Sequence, residues 1–214
     1  MLTQDNTIPN FMEDTFAHKA LTWDNPRKIS MTNKFVKEIE KLCSFSSSLK
    51  ILEIGTGTGL VGLQLVSKAS EMLLIDTSPS MLQILEKKLQ DNPYPHVKCL
   101  HATIETINAT DFDLVISFMT WHHIADFSSA FTSVYTLLKK GGKLLIGDLL
   151  TEDGSFHGDE FVPHLGFDMQ MLRTIAENHG FKVLQVYPYA EVEKQVQNGD
   201  INRYGQFVLF AEKI

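Results

Sequence analysis

Two groups of residues in this chain have the types and spacing to do chemistry. The first is a bend of nearly bare backbone, Glu53-Ile-Gly-Thr-Gly-Thr-Gly59, with Asp76 about twenty residues beyond its first glycine. Glycines let main chain pass close to a flat or charged ligand with no Cβ in the way. If the bend opens a helix, the free N–H groups of that helix add partial positive charge. A literal G-x-G-x-x-G runs from Gly57 to Gly62, which raises a dinucleotide reading and, with it, an NAD-type oxidoreductase. In that fingerprint the first glycine follows the strand directly, and counted from Gly55 the sixth position is Leu60. The run is therefore better described as E-x-G-x-G-x-G. Glu53 points the same way, because a carboxylate there opposes a pyrophosphate and suits a ligand bearing an ammonium and a sulfonium. The plainer role for Glu53 is a helix cap or a lysine partner. Asp76 suits two ribose hydroxyls, a feature common to both ligand classes, although an N-cap is its structural alternative.

The second group is histidine. His122 and His123 are adjacent and His157 lies farther on. Imidazoles titrate near neutrality and can take a proton from a reacting group, so these three are the candidate bases, weighed against ordinary loop hydrogen bonding. Trp121, Trp23, Phe156 and Phe118 could wall an acceptor or cover the first ligand, and Trp23 could equally anchor the N-terminal segment.

The elements that must position these residues alternate. Apolar runs at residues 50–54, 72–76, 97–100, 112–118 and 143–149 read as strands. Leu60, Leu63 and Val66 give a helical face after the first. Ser78-Pro79 reads as an N-cap with proline at the first helical position, followed by Leu82, Leu85 and Leu89. Phe127, Phe131, Val134 and Leu138 mark a helix before the fifth strand. Another helix, with Met31, Phe35, Ile39 and Leu42, is opened by Asn25-Pro26 ahead of the unit. A last one spans residues 168–179, and strands at 181–187 and 206–211 close the chain, with the polar stretch 191–200 read as a turn. Strand and helix in this rhythm predict a mainly parallel sheet covered on both faces. Ligands of such sheets bind beyond the carboxyl ends of the strands, which places His122, His123 and His157 on the rim after strands four and five.

The bulk numbers set bounds. At 214 residues the chain can bury one α/β core, and its 43% apolar and 21% charged content is ordinary for a globular protein. No apolar run approaches the ~20 residues of a membrane span, and Met1-Leu-Thr-Gln-Asp5 lacks the features of a secretory leader. Net charge −7 disfavours a nucleic-acid partner. Cys43 and Cys99 read as reduced core thiols of a cytoplasmic protein. No spacing demands a metal site, and the fourth strand ends in Ser117-Phe118, leaving Asp148 without a second carboxylate ligand for magnesium.

Four segments in order carry a family resemblance: Leu52-Glu-Ile-Gly-Thr-Gly-Thr-Gly59, Ile75-Asp-Thr-Ser-Pro-Ser-Met81, Phe112-Asp-Leu-Val-Ile-Ser117 and Leu137-Leu-Lys-Lys-Gly-Gly-Lys-Leu144. Over residues 50–149 the chain resembles the class I S-adenosylmethionine-dependent methyltransferases. Thr22-Trp-Asp-Asn-Pro26, Trp121-His-His-Ile124 and Glu152-Asp-Gly-Ser-Phe-His157 look like a subgroup of small bacterial and fungal members whose acceptors sequence does not define. The resemblance implies a Rossmann-like three-layer α/β sandwich, a seven-stranded, mostly parallel sheet with the last strand antiparallel. It implies one domain over residues 1–214, with a helical cap at 1–45, a cofactor core at 50–150 and an acceptor rim with closing strands at 151–214. The cofactor would be S-adenosylmethionine, leaving as S-adenosylhomocysteine. Gly55, Thr56, Gly57 and Gly59 would lie under its methionyl part beside Glu53, and Asp76 would hold the ribose. Thr77, Ser78 and Met81 would border the adenine, with Thr103 where the family often has an aspartate and Ile104 on the ring edge. Ser117, Phe118 and Trp23 would complete the cofactor contacts. The implied acceptor is a small molecule handled by His123, His122 and His157, the protein acting as monomer or homodimer. A catalytically silent, cofactor-binding regulator is the alternative of a different class.

Overall fold

A computed structural model describes residues 14–45, 49–197 and 199–214. Seven strands form one sheet: β1 Lys50–Ile54, β2 Glu71–Asp76, β3 Val97–His101, β4 Phe112–Phe118, β5 Leu138–Leu149, β6 Phe181–Gln195 and β7 Ile201–Lys213. Their order is β3-β2-β1-β4-β5-β7-β6. Neighbours from β3 to β5 pair in parallel, and β7 runs antiparallel to both β5 and β6. The order reverses between β1 and β4, so the carboxyl ends of those two strands flank a crevice.

The strands send alternate residues to opposite faces. Leu52, Ile54, Val115, Leu144, Ile146, Phe207 and Leu209 pack with α4 (Phe127–Leu137) and α5 (Met169–Asn178). Ile51, Leu114, Ile116, Leu145, Val208 and Phe210 pack with α1 (Pro26–Leu42), α2 (Gly62–Leu65) and α3 (Pro79–Asp91). This gives the three-layer sandwich expected from the alternation. Gly147 sits where a side chain would collide with the Phe35 ring, so α1 lies directly on β5. Local chemistry sets the helix starts as the sequence predicts: Asn25, Ser78 and Asp168 each accept a hydrogen bond from a first-turn amide.

Three expectations need correction. The helix after the glycine bend is one turn, followed by a 3-10 turn at Val66–Lys68. So short a run of peptides adds little helix dipole at the bend, whose amides at Thr56, Gly57 and Gly59 already donate to the Ile75 carbonyl, Asp76 and the Thr56 carbonyl. The two closing strands extend far past residues 187 and 206, because the polar stretch 191–195 pairs with 201–205. The resulting two-stranded arm overhangs the carboxyl end of β5, where Val192 and Tyr204 pack with Met31, Leu149 and Phe156. Finally, Cys43 and Cys99 are free but only half-buried, at the margin of the core rather than within it.

Candidate functional site

The bend after β1 is held open by its glycines. Gly57 has φ +55°, and a Cβ there would meet only the Trp23 indole nitrogen, at 3.6 Å. Its neighbour Gly55, at φ +69°, has no room for a Cβ beside the Thr120 side chain. The resulting cradle is bare backbone roofed by an indole. Asp76, at the carboxyl end of β2, accepts from the Gly57 amide at 2.6 Å through one oxygen and from the Ser78 amide at 2.8 Å through the other. Each oxygen keeps a lone pair for a further donor such as a ribose hydroxyl. Burial raises the Asp76 pKa, and the three backbone amides around it pull the other way.

Glu53 does not line this crevice. It belongs to the strand face that carries α2, is 2% exposed, and lies beneath the bend, accepting from the Thr56 hydroxyl at 2.7 Å. Burial pushes its carboxyl up to about 8, with the Thr56 hydrogen bond opposing and nearby Asp76 adding to the rise. It reaches the crevice only through the bend it supports. Ser117 is likewise fully buried, its hydroxyl donating to the Ile54 carbonyl at 2.9 Å and so stitching β4 to β1. Met81 and Ile104 are buried core, Ser78 is occupied as the cap of α3, Thr77 is exposed, and Thr103 is half-buried ahead of a short 3-10 turn. Phe118 stacks on Phe35 at 4.7 Å.

The segment before α1 crosses both halves of the site. Asp14 accepts from the Ser78 hydroxyl at 2.8 Å and the Ser80 amide at 3.1 Å. Asp24 accepts from the Thr58 hydroxyl and pairs with Lys88 at 2.6 Å. Between these anchors Phe16 stands edge-on to Trp23 at 5.6 Å and to His123 at 5.3 Å. Trp23 therefore serves both roles left open by the sequence, as anchor and as roof.

The three histidines come together. Ring centroids of His122 and His123 are 4.2 Å apart, those of His122 and His157 4.9 Å, and those of His123 and His157 6.2 Å. Two carboxylates lie behind them. Asp148 on β5 meets His122 Nδ1 at 2.6 Å, both side chains being buried. Burial alone would raise the Asp148 pKa, but the charge and hydrogen bonds of His122 hold it below the ordinary carboxylate range. Glu152 meets His157 Nδ1 at 3.4 Å and also accepts from the amides of Gly154 and Phe156. His157 Nε2 is buried and has no partner among the described residues. Burial, reinforced by the charge of His122, lowers the His123 pKa to about 4 and also lowers that of His157. Both are thus neutral near pH 7 and able to accept a proton. No group of three side chains among the described residues is spaced to hold a metal ion.

The methyltransferase-domain family matches residues 52–146, spanning the bend, the ribose-type acid and β5. The chain is an S-adenosylmethionine-dependent methyltransferase. An uncharacterised methyltransferase of Schizosaccharomyces pombe is 24% identical over 212 residues, covering 91% of this methyltransferase and 74% of that protein. The malonyl-[acyl-carrier protein] O-methyltransferase 1 of Ilyobacter polytropus is 30% identical over 141 residues, 62% of this chain and half of the relative. In fold, the methyltransferase is similar to a SAM-dependent methyltransferase from Aquifex aeolicus, with TM-score 0.71 at 18% identity over 92% of this chain and 98% of that one. S-adenosylmethionine is the cofactor.

Sequence reading missed several participants. Asp14 and Phe16 lie in a stretch with no periodicity, Glu160 and Lys19 pair across the mouth at 2.5 Å, and Asp148 is a buried partner rather than a stranded acid. The only signal for Asp148 was its place at a strand's carboxyl end.

Proposed function

We propose that this methyltransferase transfers the methyl group to a small acceptor lying over His123 and His157, and that the acceptor loses a proton in the process. The observation that carries this reading is the pair of half-buried, neutral imidazoles, one with a buried ring nitrogen that has no partner among the described residues, beside Phe16 and the Trp23 roof. S-adenosylmethionine supplies an electrophilic methyl on a sulfonium and departs as the thioether S-adenosylhomocysteine. Asp76 holds the ribose, the open face of Gly57 admits the methionyl part, and Trp23 excludes water above it. His123 or His157 takes the acceptor proton, while His122, fixed by Asp148, positions its neighbours. Alignment of donor and acceptor accounts for the rest of the rate, with up to ~7–11 kcal/mol available from positioning. The Ilyobacter relative is named an O-methyltransferase, and a hydroxyl oxygen is an acceptor that must shed a proton. Net charge −7 favours a small molecule in a cytoplasmic setting over a nucleic acid. In this arrangement residues 14–45 cover the site, 50–150 hold the cofactor and 151–214 form the acceptor rim.

Transfer of radiolabelled methyl groups into a metabolite extract tests the reading. Asp76→Arg is expected to abolish both S-adenosylhomocysteine binding and transfer. The double variant His123→Ala/His157→Ala should keep the binding and lose about 10²–10⁴-fold in transfer. Full transfer by the double variant would remove the histidines from the mechanism.

A further inference from the structure

The acceptor's charge is written in the cations at the mouth. Arg27, Lys28 and Lys194 are all half-buried, yet none forms an ion pair with a carboxylate among the described residues. Lys28, on the first turn of α1, lays its ammonium on the Trp23 ring, the same indole that roofs Gly57. Lys194, on the β6–β7 arm, donates to the Phe156 carbonyl and lies 4.7 Å from the Phe156 ring. Phe156 immediately precedes His157 and stands edge-on to it at 5.0 Å. One cation therefore borders the methyl-donor side and another the histidine side.

An ammonium carries three donors and no acceptor. The ring beneath Lys28 answers its charge only in part and satisfies no N–H. Removing such a group from water without an anionic partner is costly, and the cost is visible: burial, with Arg27 and Lys19 close by, drives the Lys28 pKa to about 6. Lys194 is depressed as well, by burial first and Arg27 next. The nearest acid, Glu160, is already taken by Lys19 at 2.5 Å, and Glu152 by two amides and His157. In a protein with 26 acidic and 19 basic side chains, carboxylates to neutralise these cations were available and are not placed there. The same Arg27 also lines an open groove of about 870 Å³ between α1 and the arm, with Lys34, Tyr189 and Arg203 on its walls.

We infer that the methyl acceptor is a small anion whose carboxylate or phosphate is held between Lys28 and Lys194, with Arg27 behind them, while its nucleophilic atom lies against His123 and His157. The inference rests on the methyl-transfer reading above and adds the acceptor's class. An anion so held supplies the missing acceptors to both side chains and favours the charged form of each. It also explains why the arm extends past β5, since Lys194 is delivered to the rim only by the pairing of residues 191–195 with 201–205.

Calorimetric titration tests this without knowing the natural acceptor. Benzoate and inorganic phosphate are the anionic probes, benzamide is the neutral one, and S-adenosylhomocysteine is titrated separately. Benzoate and phosphate are expected to bind at least tenfold more tightly than benzamide. Lys194→Met and Lys28→Met/Lys194→Met should each weaken the anions, the double variant by tenfold or more, with S-adenosylhomocysteine affinity of Lys194→Met unchanged. Equal binding of benzamide and benzoate, no binding of either anion, or anion affinity indifferent to both variants would overturn the inference. Loss of S-adenosylhomocysteine binding by the unaltered protein would instead strike the methyl-transfer reading, so the two failures are separate.

Discussion

Replacing Glu53 with glutamine should make the protein more tolerant of alkali. Glu53 lies fully buried beneath the bend, and its carboxyl is pushed from an ordinary 4.5 up to about 8. The folded state therefore binds this proton more tightly than the unfolded chain does. Its stabilising contribution is whole below pH 4.5 and declines as pH rises, until above pH 8 the folded protein carries a buried carboxylate. At 1.36 kcal/mol per pKa unit, the shift corresponds to about 5 kcal/mol between those limits. Glutamine keeps the amide-sized shape and still accepts from the Thr56 hydroxyl, but has nothing to ionise. Urea unfolding of both proteins at pH 5 and pH 9 isolates the effect, since every other titrating group is common to the two. The unaltered protein should lose several kcal/mol more than Glu53→Gln across that interval, and the difference should shrink when S-adenosylmethionine, with its two positive charges, is added. Parallel pH profiles for the two proteins would refute the reasoning and leave Glu53 charged at neutral pH.

Two further outcomes follow from the site. Asp148→Asn, which strips the charge facing buried His122, should cost about 3–5 kcal/mol at pH 7 in the same unfolding assay. Because the Asp148 pKa is depressed, its contribution is present above the ordinary carboxylate range and lost as pH falls through the depressed value, so the gap should narrow in strong acid; a constant gap would mean the pair is not ionic. Gly57→Ala places a Cβ in the cradle at φ +55°, a backbone cost of about 1–2 kcal/mol, and calorimetry should show S-adenosylhomocysteine affinity reduced at least tenfold, an unchanged affinity ruling out close approach at this position.

The parallel part of the fold was legible because its strands are buried on both faces and read as short apolar runs: residues 50–54 and 112–118 match β1 and β4 end to end. Helix starts were legible because Asn25, Ser78 and Asp168 are caps in type as well as position. The arm was not, since a two-stranded ribbon that buries only Val192 and Tyr204 has too few apolar positions to show a period, and Gln195 or Asn202 reads as loop. The length of α2 was also hidden, because Leu60, Leu63 and Val66 are spaced alike for a long helix and for one turn followed by a 3-10 turn. At the site, the bend, Asp76 and the histidines announce themselves by type. Glu53 was found but placed wrongly, because which way a residue faces depends on strand parity against a helix that sequence did not resolve. Arg27, Lys28 and Lys194 went unread as a group, for only the hairpin brings residue 194 to the start of α1.

The strip from Asp14 to Asp24 touches the cap of α3, the glycine bend and the histidine ring nearest the rim. A ligand on the nucleoside side and one on the histidine side both border that one ribbon of chain, so each should register the other's presence. A thioether product left behind would slow admission of the next acceptor even though the two molecules never compete for a single contact.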